Sequence, residues 1–167
     1  MKKLRLLVTE KCTRNCEGCC NKDLKPKGVL TSIQNWEEYY QIMITGGEPL
    51  LYPNELLAFL TKLSRKYFQI LYTAITLQDK RKMKEIFCLL DGVTFTIHDK
   101  RGIRDFIRLN KFLQRNSFGL HQRLNIFCDV QLPPINLYGW DVKFIEWIKN
   151  CPLPENEDFY KLDKLWQ

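Results

Sequence analysis

Short apolar runs alternate along this chain with stretches in which apolar residues recur every three or four positions, and the two spacings mark strands and helices respectively. Leu4 to Thr9 reads as a first strand. A cysteine-rich loop follows, Pro26 and Gly28 break the chain, and a short helix is expected near Ser32 to Tyr39 before a second strand at Gln41 to Thr45. Asn54 is a candidate cap for a helix carrying Leu57, Leu60, Leu63 and Tyr67, which leads into a strand at Gln69 to Ile75. Asp79 opens the next helix, with Met83, Ile86, Phe87 and Leu90 inward, and Asp91-Gly92 turns the chain into a fourth strand, Val93 to His98. The longest helix spans Asp99 to Asn116, and Arg123 to Asp129 forms a fifth strand. Pro133-Pro134 interrupts, Asp141 to Asn150 reads as a last helix with Val142, Ile145 and Ile148 inward, and beyond Pro152 no element is assigned.

Strands alternating with helices build a parallel sheet covered by crossover helices, so the expected fold class is α/β. Five or six such units fall short of a closed eight-stranded barrel, which takes ~250 residues, and a partial, open (βα)5-6 barrel is expected instead. No repeat, low-complexity segment or linker divides the 167 residues, and one domain over 1–167 is the expectation. In parallel folds the loops at the carboxyl ends of the strands build the site, so the loops after the first and second strands should meet.

Apolar residues make up 45% of the chain and aromatics 13%, too much for a disordered tail, while no apolar run is long enough to span a bilayer. The start Met1-Lys2-Lys3 and Leu4 to Val8 imitates an export leader only briefly, because Thr9, Glu10 and Lys11 end it. A soluble, cytoplasmic protein without membrane partners is expected. The net charge of +7 favours acidic partners. Much of it comes from Arg101, Arg104, Arg108, Lys111 and Arg115, whose spacing places them along one side of a helix as a solvated face. No nucleic-acid signature accompanies that charge, so nucleic acid is not an expected partner.

Seven cysteines are an odd number, and four crowd between Cys12 and Cys20, where close thiols gather metal more readily than they staple a fold. The spacing Cys12-x3-Cys16-x2-Cys19 supplies three thiolates on one loop, enough for three irons of a cubic [4Fe-4S] cluster, with the fourth iron open to a small ligand. Downstream stands Thr45-Gly46-Gly47-Glu48-Pro49.

Together, Cys12-Thr13-Arg14-Asn15-Cys16-Glu17-Gly18-Cys19 and Thr45-Gly46-Gly47-Glu48-Pro49 resemble the radical S-adenosylmethionine (radical SAM) superfamily, and the likeness extends to the βα alternation of almost the whole chain. It implies a partial open barrel of the radical SAM type. Cys12, Cys16 and Cys19 would each bind one iron, and the amine and carboxylate of S-adenosylmethionine would chelate the fourth. Reductive cleavage would then give methionine and a 5'-deoxyadenosyl radical that abstracts a substrate hydrogen. Gly46 and Gly47 would let backbone approach the methionine end, and Glu48 would anchor the turn or the amine. By the same resemblance, Thr73, Thr96, His98 and Asp129 stand at strand ends that contact the cofactor, and Ile126 and Phe127 could flank adenine. The spacing selects Cys19 over Cys20, whose side chain points elsewhere in an extended segment. Cys88 and Cys128 are expected as buried small apolar side chains, and Cys151 is unassigned.

The run Cys16-Glu17-Gly18-Cys19-Cys20-Asn21 is similar to the activating enzymes of anaerobic ribonucleotide reductases, which act on a glycine of a large glycyl-radical enzyme. Only eleven residues precede Cys12, fewer than the lead-in of those activases. Modification of a small molecule, peptide or nucleic acid is the other radical SAM reading. A non-catalytic module is a second class, in which Cys12, Cys16, Cys19 and Cys20 hold zinc or an electron-carrying cluster. An acidic flavodoxin or ferredoxin is the expected electron donor to so basic a chain.

Overall fold

Among the described residues eight strands join one sheet, and every neighbouring pair in it is parallel. They are β1 (Lys2–Leu7), β2 (Val29–Leu30), β3 (Tyr39–Thr45), β4 (Phe68–Thr73), β5 (Gly92–Ile97), β6 (His121–Phe127), β7 (Trp140–Ile145) and β8 (Glu157–Leu162). The spatial order is β2-β8-β1-β3-β4-β5-β6-β7, with β2 and β7 at the edges. This computed structural model describes residues 2–14, 16, 19, 24–32, 36–63, 65–146 and 152–163. Three helices, α1 (Pro53–Lys62), α2 (Lys80–Phe87) and α3 (Lys100–Arg115), make the crossovers from β3 to β4, β4 to β5 and β5 to β6. The α/β class expected from the alternation is the class observed.

One face of the sheet and the three helices share a single core. Leu4, Leu6, Ile42, Ile44, Phe95, Ile97, Leu124 and Ile126 from the strands meet Phe59, Ile86, Phe87, Phe106 and Leu109 from the helices. Each such side chain contributes about 1.5–3 kcal/mol by leaving water. Because strand side chains alternate, the intervening residues Thr94, Thr96, Arg123 and Asn125 turn to the opposite face, where they bound a cavity of about 890 Å³. Asp79 and Asp99, where the two helices were expected to start, cap α2 and α3, accepting from the amides of Lys82 at 3.0 Å and Gly102 at 2.9 Å. Arg101, Arg104, Arg108, Lys111 and Arg115 are all exposed along α3, the solvated face read from their spacing.

Several boundaries move. Helix α1 starts at Pro53, not after an Asn54 cap, because proline's fixed φ and missing donor suit the first helical position. Glu37 and Glu38 form a turn and Tyr39 already belongs to β3, so no helix reaches Tyr39; residues 33–35 of that expected helix lie outside the described residues. The third strand ends at Thr73, short of Ile75, and the fifth runs His121–Phe127, with Cys128 and Asp129 in a turn beyond it.

Two corrections are larger. Trp140–Ile145 is strand β7 where a helix was expected, paired in register with β6 from Gln122 to Phe127. Val142 and Ile145 do sit three apart, but Trp140, Val142 and Phe144 also alternate with Asp141 and Lys143, and pairing with β6 selects the two-residue period. Residues 147–150 of that expected helix lie outside the described residues. Second, β8 was not anticipated, although it lies inside the sheet, between the edge strand β2 and β1. It opens on the buried acids Glu157 and Asp158, whereas interior parallel strands normally read as continuous apolar runs. Arg5 pairs with Glu157, while Lys2, Lys27 and the Tyr39 hydroxyl all reach Asp158. These partners lie more than a hundred residues away in sequence.

Candidate functional site

The loops after β1 and β3 meet at the carboxyl end of the sheet, as the topology required. The amide of Gly47 donates to the carbonyl of Thr9 at 2.6 Å, and that of Glu48 to the carbonyl of Lys11 at 2.8 Å. Both glycines are forced by this contact. Gly46 has φ +146°, and a Cβ there would stand 2.4 Å from the Thr9 oxygen; at Gly47 it would stand 2.0 Å from the Lys11 oxygen. The turn is therefore built against the segment that leads into Cys12.

Glu48 fastens the same turn to β4. It is 2% exposed. Its Oε1 accepts from the Leu50 amide at 3.1 Å and the Thr73 hydroxyl at 2.8 Å, and its Oε2 accepts from the Ala74 amide at 2.9 Å. Burial pushes its carboxyl above the ordinary range, against the downward pull of these donors and of the Arg14 charge. Thr73 thus orients Glu48 while also lining the cavity.

Cys12, Cys16 and Cys19 line the mouth of the cavity, Cys12 exposed and the other two half-buried. Cys16 is raised above the ordinary thiol range, first by burial and then by the neighbouring Cys19 and Cys12, an effect Arg14 opposes. Cys16 therefore lies close enough to feel both of the others. Arg14 ties their loop down, donating to the Ala74 carbonyl at 2.8 Å and pairing with Asp99 at 2.9 Å and Asp105 at 3.3 Å. Its amide also donates to the Cys12 sulfur at 3.4 Å. Among the described residues no three His, Cys, Asp or Glu side chains stand close enough to enclose one metal ion. The donor set is three soft sulfurs strung along a loop and open to a cavity on one side, which suits a multi-iron cluster that takes one thiolate per iron. Cys20 and Cys151 lie outside the described residues, so the four-thiol arrangement is not described.

Thr96, His98 and Phe127 line the cavity as well. His98 stacks on Phe127 with ring centroids 5.1 Å apart at 25°. Burial, then the nearby Arg14 charge, lowers its pKa to about 4, so the ring is neutral at physiological pH. Other expectations change. Ile126 faces the helices in the core and cannot flank a ligand. Asp129 is exposed in the turn beyond β6, outside the cavity wall. Cys88 and Cys128 are exposed rather than buried, because each falls in the turn that ends its element.

Arg14 was missed, and so were Arg5, Tyr72, Arg123 and Asn125 on the cavity face. The last two share parity with Phe127 along β6, a two-residue spacing that was there to be read. Arg14 carried no signal beyond its place between two cysteines. No protein-family model matches the chain, and no curated protein matches it. Among the described residues no helix is long and apolar enough to cross a membrane.

Proposed function

We propose that this chain is a radical SAM enzyme whose βα units form the partial, open barrel of that superfamily. The observation that carries the reading is the backbone lock between the Gly46-Gly47-Glu48 turn and the segment entering the three-cysteine loop, at the mouth of a cavity. A fortuitous metal loop would have no use for that lock. Cys12, Cys16 and Cys19 would hold the [4Fe-4S] cluster, and S-adenosylmethionine would lie beside Gly46 and Gly47. When bound, the pair supplies one-electron cleavage of the sulfonium and a carbon radical that takes a hydrogen atom from substrate.

The chain's own contribution is placement. Arg14 and Glu48 brace the two loops against β4 and α3, so that the thiols are held before the cluster is loaded. Neutral His98, stacked on Phe127, offers a polar edge and a flat apolar face without adding charge to the site. At about 890 Å³ the cavity is near the upper end of ligand pockets, with room for a cofactor and a small substrate together. The reductant would be an acidic flavodoxin or ferredoxin, drawn to a chain of net charge +7.

Anaerobic reconstitution with iron and sulfide, then dithionite and S-adenosylmethionine, tests the reading. Near four irons per chain and 5'-deoxyadenosine are expected, with both lost in Cys12→Ser, Cys16→Ser and Cys19→Ser. One tightly held zinc and no 5'-deoxyadenosine would overturn it.

A further inference from the structure

The floor of the cavity carries charges that the cofactor chemistry leaves unexplained. Of the cations lining it, Arg5 is paired with Glu157 and Arg14 with Asp99 and Asp105. Arg123 and Lys3 also line it, both half-buried, and among the described residues no carboxylate oxygen lies within 4.0 Å of either. Asp141 is the register partner of Arg123 on β7, yet it is exposed and makes no ion pair with it. Arg123 instead donates its Nε to Asn125 Oδ1 at 3.0 Å. Asn125 lies two residues further along the same strand face, so this bond turns the guanidinium toward the carboxyl end of the sheet and leaves its two terminal nitrogens for a ligand. Tyr72, Thr94 and Arg123 occupy one register row across β4, β5 and β6. Four residues separate Arg123 from the end of β6, about 13 Å of strand. On β6 Arg123 therefore lies well below the strand's carboxyl end, whereas Tyr72 stands one residue from the end of β4.

We infer that the substrate is a small molecule bearing a carboxylate or phosphate, held by Arg123 on the floor of the cavity with Tyr72 and Thr94 beside it. A half-buried guanidinium without a counter-ion is costly, and a bidentate anion both removes that cost and matches the fork. A glycine in the loop of a large protein presents no such group. This inference deepens the proposed function by choosing a small acid over a protein glycine, and it rests on that reading for the chemistry that follows binding.

The test uses the full chain without iron or cofactor, so that its outcome is separate from 5'-deoxyadenosine formation. Melting temperature is measured in sodium malonate and in sodium phosphate, each against sodium chloride of equal ionic strength, for wild type, Arg123→Gln and Arg104→Gln. Arg104 lies on the exposed face of α3. One of the two anions should raise the midpoint of wild type and of Arg104→Gln above the chloride value, and the more effective anion names the group. In Arg123→Gln the apparent affinity drawn from that shift should fall at least about tenfold. Asn125→Ala, which unpins the guanidinium without removing it, should weaken the shift in the same direction and serves if Arg123→Gln does not fold. No anion-specific shift in wild type, or a shift retained in the Arg123 and Asn125 variants, would overturn the inference.

Discussion

A methyl group added to Gly47 would stand 2.0 Å from the carbonyl oxygen of Lys11, inside any permitted contact between those atoms. The neighbouring hydrogen bond from Gly47 to Thr9 prevents the turn from backing away. Gly47→Ala should therefore cost about 1–3 kcal/mol and prise the turn from the cysteine loop. Thermal melting together with iron bound after reconstitution checks this; a variant that melts and loads iron like wild type would show that the turn has slack.

Thr73 tunes the charge on Glu48. A carboxyl whose pKa rises on folding contributes stability below its unfolded value, 4.5, and loses that contribution as pH climbs through the folded value. Thr73→Val removes one donor to the carboxylate, raising the folded value further. The substitution should cost about 1.5–3 kcal/mol at a pH high enough to ionise Glu48 and less near pH 4.5. Denaturant unfolding at the two pH values measures the difference, and an equal loss at both would mean the hydroxyl does not bond an ionised Glu48.

Arg14 makes three side-chain contacts that lysine cannot reproduce from a single ammonium. On the proposed reading both Arg14→Gln and Arg14→Lys should weaken iron retention after reconstitution, read as iron lost to a chelator over time. Stability should fall by about 1–3 kcal/mol in the glutamine variant, which removes both ion pairs of Arg14 and leaves Asp105 only the longer contact with Arg108 at 3.7 Å. Full rescue by lysine would reduce the role of Arg14 to charge alone.

Asp158 should govern the acid limb of the stability curve. Its side chain is 7% exposed, and the Lys27 ammonium foremost, with Tyr39 and Lys2, holds its carboxyl below the usual range. A carboxyl depressed on folding contributes stability above its unfolded value, 3.8, and that contribution disappears as pH falls through the folded value. Asp158→Asn should destabilise by about 1–3 kcal/mol near neutral pH, and the gap from wild type should narrow on acidification. A constant gap across an acid titration would count against the ion pairs that seat β8.

Cys88 and Cys128 are exposed, and serine in their place should change stability by no more than about 0.5 kcal/mol and leave iron content untouched. Loss of iron in either variant would place a ligand outside the loop that follows β1.

The chain's own order of residues was enough for the α/β class, for the helix starts at Asp79 and Asp99, and for the meeting of the cysteine loop with Gly46-Gly47-Glu48, because each depends on local spacing or on the direction of parallel strands. Strand β8 was hidden because its buried acids are neutralised by Arg5, Lys2 and Lys27 from the other end of the chain. Strand β7 was hidden because a short apolar set fits two periods until a neighbouring strand selects one. Tertiary structure likewise decided that Thr73 serves Glu48, that Arg14 braces the thiol loop, and that Arg123 faces a cavity. Those roles arise from side chains brought together across the sheet, and distance along the chain carries no record of such encounters.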